Sequence, residues 1–184
     1  ALQPILHRAG LSLFHVEKLG THGGSYRVYL CCSANTAFDI DNSVGAALSE
    51  EKDFGIENPS TYQGFSRSSL NIKNDLVGFL IEAKKQGKKV IAYGAAAKGN
   101  TFLNFAGVKD DLITFVVDKN LEKIGKWMPG NRIPIVAEKE IKILKPDYVV
   151  ILPWNLREEI SQDLKYTRDW GAKFVVAVPK FELI

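Results

Sequence analysis

Residues 88–118, KKVIAYGAAAKGNTFLNFAGVKDDLITFVVD, decide the fold of this chain. They read as a buried strand over 90–93, a glycine-bounded turn, a helix over about 100–106 and a second buried strand over 113–117 that ends on Asp118. Apolar runs this short, bounded by glycines and separated by a helix, are the pattern of parallel strands covered on both faces. A unit of this kind can set the N–H groups of a helix N-terminus against a phosphate. The shape is that of an α/β nucleotide-site candidate; the ligand is left open.

C-terminal to this unit, DKNLEKIGKWMPGNRIPIV carries the glycines and prolines of a loop that runs into a short strand over 133–136. Residues 137–144 suit a short helix, DYVVIL at 147–152 a buried strand, and 173–178 a last strand. The helix between those two strands carries Leu156, Ile160 and Leu164 on one stripe. Four strong strands and one short one, alternating with helices, predict a small, mostly parallel, doubly wound sheet. Right-handed crossovers give an order such as 3-2-1-4-5.

N-terminal to the unit, Ile72, Leu76, Phe79, Leu80 and Ala83 follow an amphipathic stripe, which predicts a helix over about 69–86 closed by Gly87. Residues 33–59 are polar and interrupted, and read as a connector with one short helix. Residues 2–10 read as the end of a helix stopped by Gly10, and 11–18 and 25–32 alternate as strands do. The glycine-containing loop between those strands makes an antiparallel pair. A helix and two strands of this length cannot form a core alone, so this piece is expected to belong to a partner sheet. The expected division is therefore 1–33, 34–87 and 88–184.

Composition narrows the classes. With 46% apolar and 24% charged residues in 184, the chain has the make-up of a globular protein. Its net charge of +3 comes from lysines interspersed with acids, without a basic stripe bearing stacking aromatics, so no nucleic acid is expected as a partner. No apolar run is long enough to span a bilayer and no signal peptide opens the chain, which makes the cytoplasm the expected compartment. Cys31 and Cys32 are adjacent in a strand and should point to opposite faces, so neither a disulfide nor a metal site is expected. His7 and His15 have no partner in the sequence pattern and read as surface or packing residues. The one methionine is Met128, so residue 1 is not an initiator and the chain is expected to be a piece of something longer.

Three stretches could carry chemistry. Gly94-Ala95-Ala96-Ala97-Lys98-Gly99 departs from the dinucleotide fingerprint because Ala96 stands where a glycine lets the backbone approach a pyrophosphate. It is not a P-loop either, since Lys98 precedes the second glycine. What remains is a helix N-terminus with Lys98, followed by Asn100, as a seat for an anion. Asp118 stands where a ribose-binding carboxylate would stand. The plainer alternatives are that the glycines allow close packing and that Asp118 caps the next turn. Thr21-His22-Gly23-Gly24-Ser25 with Arg27 could line an anion site, or be a hairpin turn with a solvent-facing arginine. In Pro153-Trp154-Asn155, Asn155 is a candidate helix cap, and Trp154 could stack on a ring or cover the sheet edge.

THGGSYRVYL, YGAAAKGNTFLN, DKNLEKIGKWMPGNRIPI and ILPWNLREEI occur in that order. Together they resemble the C-terminal region of the S-adenosylmethionine-dependent C-methyltransferases that act on nucleotide-linked deoxysugars. The resemblance implies a parent with a zinc-binding module, a methyl-donor domain and a Rossmann-like C-terminal domain, the nucleotide-sugar lying between the last two. Residues 1–33 would then be the tail of the methyl-donor domain, its closing helix and antiparallel strand pair.

The expected acceptor-binding residues are His22, Gly23, Gly24, Ser25 and Arg27, then Gly94, Ala95, Ala96, Lys98, Gly99 and Asn100, of which all but Ala95, Ala96 and Asn100 match the family's motifs. Asp118, Asn120 and Pro129 follow, then Trp154 and Asn155; Asn104, Gly125, Gly130 and Pro134 also match. S-adenosylmethionine and zinc would be held by parts outside residues 1–184, and the acid–base residues would lie upstream of Ala1. The implied partners are a nucleotide-linked sugar, a thymidine diphosphate sugar being the first to test, and the methyl-donor domain. Two other readings stay open: a Rossmann-like domain for NAD or coenzyme A, or a scaffold that binds nothing.

Overall fold

The computed structural model describes residues 1–184 apart from the side chain of His22. The chain forms two compact units, Ala1–Phe65 and Ser66–Ile184.

The first unit holds α1 (Leu2–Arg8), β1 (Leu11–Leu19), β2 (Ser25–Cys32) and α2 (Asn42–Phe54). The two strands pair antiparallel, as the glycine-containing loop between them predicts, but the register shifts between Leu13 and His15. That bulge at Phe14 frees backbone groups for the start of α2. Asp41 N donates to Phe14 O at 3.0 Å, and Val16 N donates to Ser43 Oγ at 2.8 Å. Asp41 caps α2 by accepting from Ser43 N at 2.8 Å, and its carboxylate also meets His15 Nδ1. His15, expected to stand alone, is thus partnered by an acid 26 positions away. The stretch expected as a connector contains a helix of 13 residues, started by this cap and ended by Gly55 in the left-handed region.

The Ser43 hydroxyl, followed by the His15 ring, pulls the Asp41 carboxyl down to about 2. Because the folded value lies below the ordinary one of 3.8, this interaction stabilises the unit above that pH and is lost as pH falls toward 2. We expect the Asp41 carboxyl carbon to titrate near 2 by NMR, and Ser43→Ala to move the midpoint upward. A midpoint near 3.8 in the unaltered chain would mean the cap is not formed.

The boundary between the units falls inside α3 (Pro59–Lys85), whose 27 residues start ten positions before the predicted helix. Pro59 suits a first helical position, where its missing N–H costs nothing. The second unit continues with β3 (Val90–Tyr93), α4 (Ala97–Ala106), β4 (Val116–Val117), β5 (Ile135–Val136) and α5 (Lys139–Leu144). It ends with β6 (Tyr148–Ile151), α6 (Arg157–Asp163), β7 (Lys173–Val176) and β8 (Glu182–Leu183). The sheet order is β5-β4-β3-β6-β7-β8, parallel except for the last pair. Counting from β3, the five parallel strands follow the predicted 3-2-1-4-5 order; the antiparallel edge strand β8 was not foreseen.

Every residue of β3 is buried, so both faces of the sheet are covered. Val90 and Ala92 belong to a core with Leu76 and Leu80 of α3 and Leu103 of α4. Ile91 and Tyr93 belong to a second core with Ile141 of α5, Ile160 of α6 and Phe174 of β7. The stripe read from 72 to 83 is therefore the face that α3 turns to the sheet. The helix expected between the last two long strands is broken: one 3-10 turn (Trp154–Leu156), α6, then a 3-10 stretch (Lys165–Trp170).

Candidate functional site

The sheet reverses its order of growth between β3 and β6, and Tyr93 pairs with Ile151 at their C-terminal ends. In open α/β sheets this is the edge where ligands sit. Gly94, at the exit of β3, has φ +87°, and a Cβ placed on it would stand 2.5 Å from Pro153 Cδ. A Cβ on Gly99 would stand 2.5 Å from Leu152 Cβ. Both glycines, Gly94 at the exit of β3 and Gly99 at the start of α4, are thus required by close contact with the turn after β6. The close-packing alternative accounts for them without a ligand.

α4 starts at Ala97, three residues before the predicted start. Ala96 is its N-cap, in extended conformation and without a side-chain hydrogen bond. The first helical bond runs from Asn100 N to Ala96 O at 2.9 Å. The amides of the first turn have no acceptor within the helix, and alanine offers them none. Lys98 is exposed there and Asn100 half-buried.

Asp118 is placed at the end of β4, as predicted, and is half-buried. Its Oδ2 accepts from Ala95 N at 2.8 Å and from Lys123 Nζ at 3.3 Å; its Oδ1 accepts from Asn120 N at 2.8 Å. Lys123 Nζ also donates to Ala95 O at 3.0 Å. The peptide groups flanking Ala95 are therefore gripped on both sides, N–H by the acid and C=O by the amine. A carboxylate that has accepted three such bonds retains about one lone pair, too few for both hydroxyls of a ribose. Asp118 fits the turn-capping alternative better than a ribose contact, for NAD and S-adenosylmethionine alike. Asn120 continues the turn by accepting from Glu122 N at 2.9 Å.

Asn104 ties α4 to the loop between β4 and β5: its Nδ2 donates to Asn100 O at 2.9 Å and to Pro129 O at 2.9 Å. Gly130, at φ +85°, lies so close that a Cβ there would stand 3.0 Å from the Asn104 Cγ. Trp154 is half-buried and packs on the core of Ile91 and Ile151, which makes it in part a cover of the sheet edge. Asn155 is exposed within a 3-10 turn. It is not the cap expected of it, since α6 starts from Leu156 without a side-chain bond. Tyr93 Oη donates to Glu138 Oε2 at 3.1 Å. Burial, then the neighbouring Glu138 charge, raises its pKa well above the ordinary 10.0 and keeps it a neutral donor.

The other predicted group lies in the first unit. Gly23 and Gly24 take φ +84° and +120° through a 3-10 turn, Thr21–Gly23. Ser25 Oγ donates to Thr21 O at 3.0 Å, closing that turn on itself. Arg27 donates to Glu17 Oε2 at 3.0 Å, and Tyr29 Oη donates to the same oxygen at 3.1 Å. The hydroxyl of Tyr29 and the charge of Glu17 raise the Arg27 pKa. Arg27 is exposed, as the hairpin alternative has it, but it is also engaged with an acid that neither alternative named. The His22 side chain lies outside the described residues. Among the described residues no group of three or more His, Cys, Asp or Glu side chains could hold a metal, and no helix is long and apolar enough to cross a membrane.

Sequence reasoning did not single out Lys123. Its only signal is position, five residues after Asp118 in a glycine-closed loop, and nothing local says that its amine turns back onto Ala95.

A family model described as the C-methyltransferase C-terminal domain matches residues 20–179. The C-methyltransferase NovU of Streptomyces niveus is 31% identical over 175 residues, which are 95% of this chain and 41% of that protein. The chain thus spans about two-fifths of the length of the curated relative it matches.

Proposed function

The chain belongs to the C-methyltransferase C-terminal domain family, and on that premise we propose that it is the acceptor-binding part of a C-methyltransferase acting on a nucleotide-linked keto-deoxysugar. The observation that carries this reading is the start of α4. An N-terminus without a side-chain cap faces the C-terminal edge of the sheet, with Lys98 in its first turn. Amides and an ammonium together suit the phosphates of a nucleoside diphosphate. On this reading residues 88–184 are a Rossmann-like domain and residues 34–87 join it to what precedes.

Residues 1–33 are the tail of the methyl-donor domain. In support, the first unit leaves an open apolar groove of about 1010 Å³ between α1, the strand pair and α2. It is lined by Leu2, Leu13, Val16, Val28, Val44 and Leu48. The parent's methyl-donor domain would bind S-adenosylmethionine, which supplies the methyl group; zinc belongs to its N-terminal module, and the cytoplasm is its compartment. This chain's contribution is to hold the acceptor while a proton beside its ketone is removed elsewhere in the parent.

Thermal-shift and calorimetric titrations test the reading with thymidine diphosphate, S-adenosylmethionine, NAD and coenzyme A in parallel. Thymidine diphosphate is expected to bind, and Lys98→Ala to weaken it by roughly tenfold or more, the worth of one bond to a charged group. Binding of NAD or coenzyme A alone would replace the methyltransferase reading. The packing of Gly94 on Pro153 and Gly99 on Leu152 favours a second one, a scaffold without a ligand. Failure of all four compounds to bind would favour it further.

A further inference from the structure

We propose that Lys123, acting through Asp118, is a positioning residue that sets the turn after β3 in the form able to receive the acceptor. The proposal rests on the acceptor-binding reading and deepens it. Ala95 is the last residue before the N-cap of α4, so the orientation of its two peptide groups decides where the first-turn amides point. The backbone bond within the turn constrains that orientation only weakly. Ala96 N donates to Gly94 O at 2.8 Å across only two residues, and Ala95 and Ala96 carry no polar side chain.

The fixing groups come from the next loop. Lys123 Nζ donates to Ala95 O at 3.0 Å and to Asp118 Oδ2 at 3.3 Å, and Asp118 Oδ2 accepts from Ala95 N at 2.8 Å. One amine and one carboxylate thus close a ring of bonds around a single residue. The amine satisfies the carbonyl and at the same time neutralises the carboxylate. That neutralisation matters at this position, because a bare carboxylate beside an anion site would repel a phosphate. Lys123 is also still reachable from solvent, its side chain 41% exposed against 13% for Asp118. Its loss should therefore cost little core packing while releasing the turn.

Lys123→Met keeps the apolar stem and removes the amine. In the chain as it stands, the Ala95 amide is expected to exchange with deuterium at least tenfold faster in Lys123→Met. The affinity for thymidine diphosphate is expected to fall about tenfold, with the melting temperature little changed. Lys123→Arg, which can still donate to both oxygens, is expected to restore most of the affinity, a recovery that a purely structural role would not give. Thymidine diphosphate that binds Lys123→Met as tightly as the unaltered chain would overturn the proposal. If the unaltered chain does not bind it, the acceptor reading itself fails. The exchange measurement needs no ligand, and an Ala95 amide equally protected in both proteins would show that Asp118 holds it without Lys123, which would overturn the proposal.

Discussion

Gly94→Ala is expected to destabilise the second unit by roughly 3 kcal/mol, the sum of a conformational and a packing cost. At φ +87° an L side chain costs on the order of 1–2 kcal/mol. The added methyl would also stand 2.5 Å from Pro153 Cδ, well inside the roughly 3.5 Å at which carbon atoms rest. The proline ring cannot rotate away, and the turn cannot slide back, because Asp118 and Lys123 hold Ala95 from the far side. Gly107→Ala separates the two costs. It has φ +70° with nothing within 4 Å of the position a Cβ would take, so about 1 kcal/mol is expected there. Urea unfolding of both variants should show the larger shift of midpoint for Gly94→Ala at unchanged slope. Equal shifts would mean that Pro153 yields and that the edge between β3 and β6 is softer than its geometry indicates. On the proposed acceptor-binding reading, the same substitution pushes on the start of α4, and thymidine diphosphate binding should weaken with it.

Phe174→Ala is expected to cost about 3–5 kcal/mol, the range for deleting a fully buried aromatic ring. Phe174 is fully buried at 0% exposure on β7. It shares a core with Val149 and Ile151 of β6, Ile160 of α6 and Leu164, and the Arg168 guanidinium lies 5.7 Å from its ring centroid. Those neighbours come from several elements, so they cannot collapse onto the void together, which places the expected cost toward the upper end. Leu156→Ala serves as the reference: at 43% exposure it should change stability by less than about 0.5 kcal/mol. A loss under about 1 kcal/mol for Phe174→Ala, read from the same urea curves, would contradict a packed core on the α5–α6 face.

The elements that were legible share one property: their signal is local. The run VIAY and the stripe from Ile72 to Ala83 each declare a strand and a helix within a few residues, and both are found. Right-handed crossovers then gave an order such as 3-2-1-4-5, which the five parallel strands follow. Misjudged boundaries lie where local signal is weak. The N-terminal turns of α3 carry Ser60, Thr61 and Gly64, poor helix formers in isolation. Two-residue strands such as β4 and β8 fall below the length at which alternation can be seen. The helix after β6 breaks into 3-10 turns although its stripe is regular.

Sequence alone determined the class of the second unit, its parallel order, the antiparallel pair of the first unit, and four ordered motifs that point to a methyltransferase family. It placed Gly94, Asp118 and Trp154 on one edge because strand ends follow from strand positions. Only the tertiary structure decided what those residues touch. Asp118 meets Ala95 across 23 positions and Lys123 meets it across 28. Gly94 meets Pro153, and His15 meets Asp41 across 26. Such contacts depend on where folding brings distant loops together, and periodicity, which repeats every two or 3.6 residues, carries no record of them. Hence the sequence places Asp118 at the sheet edge, while only the structure shows that it accepts from Ala95 N and from Lys123 Nζ.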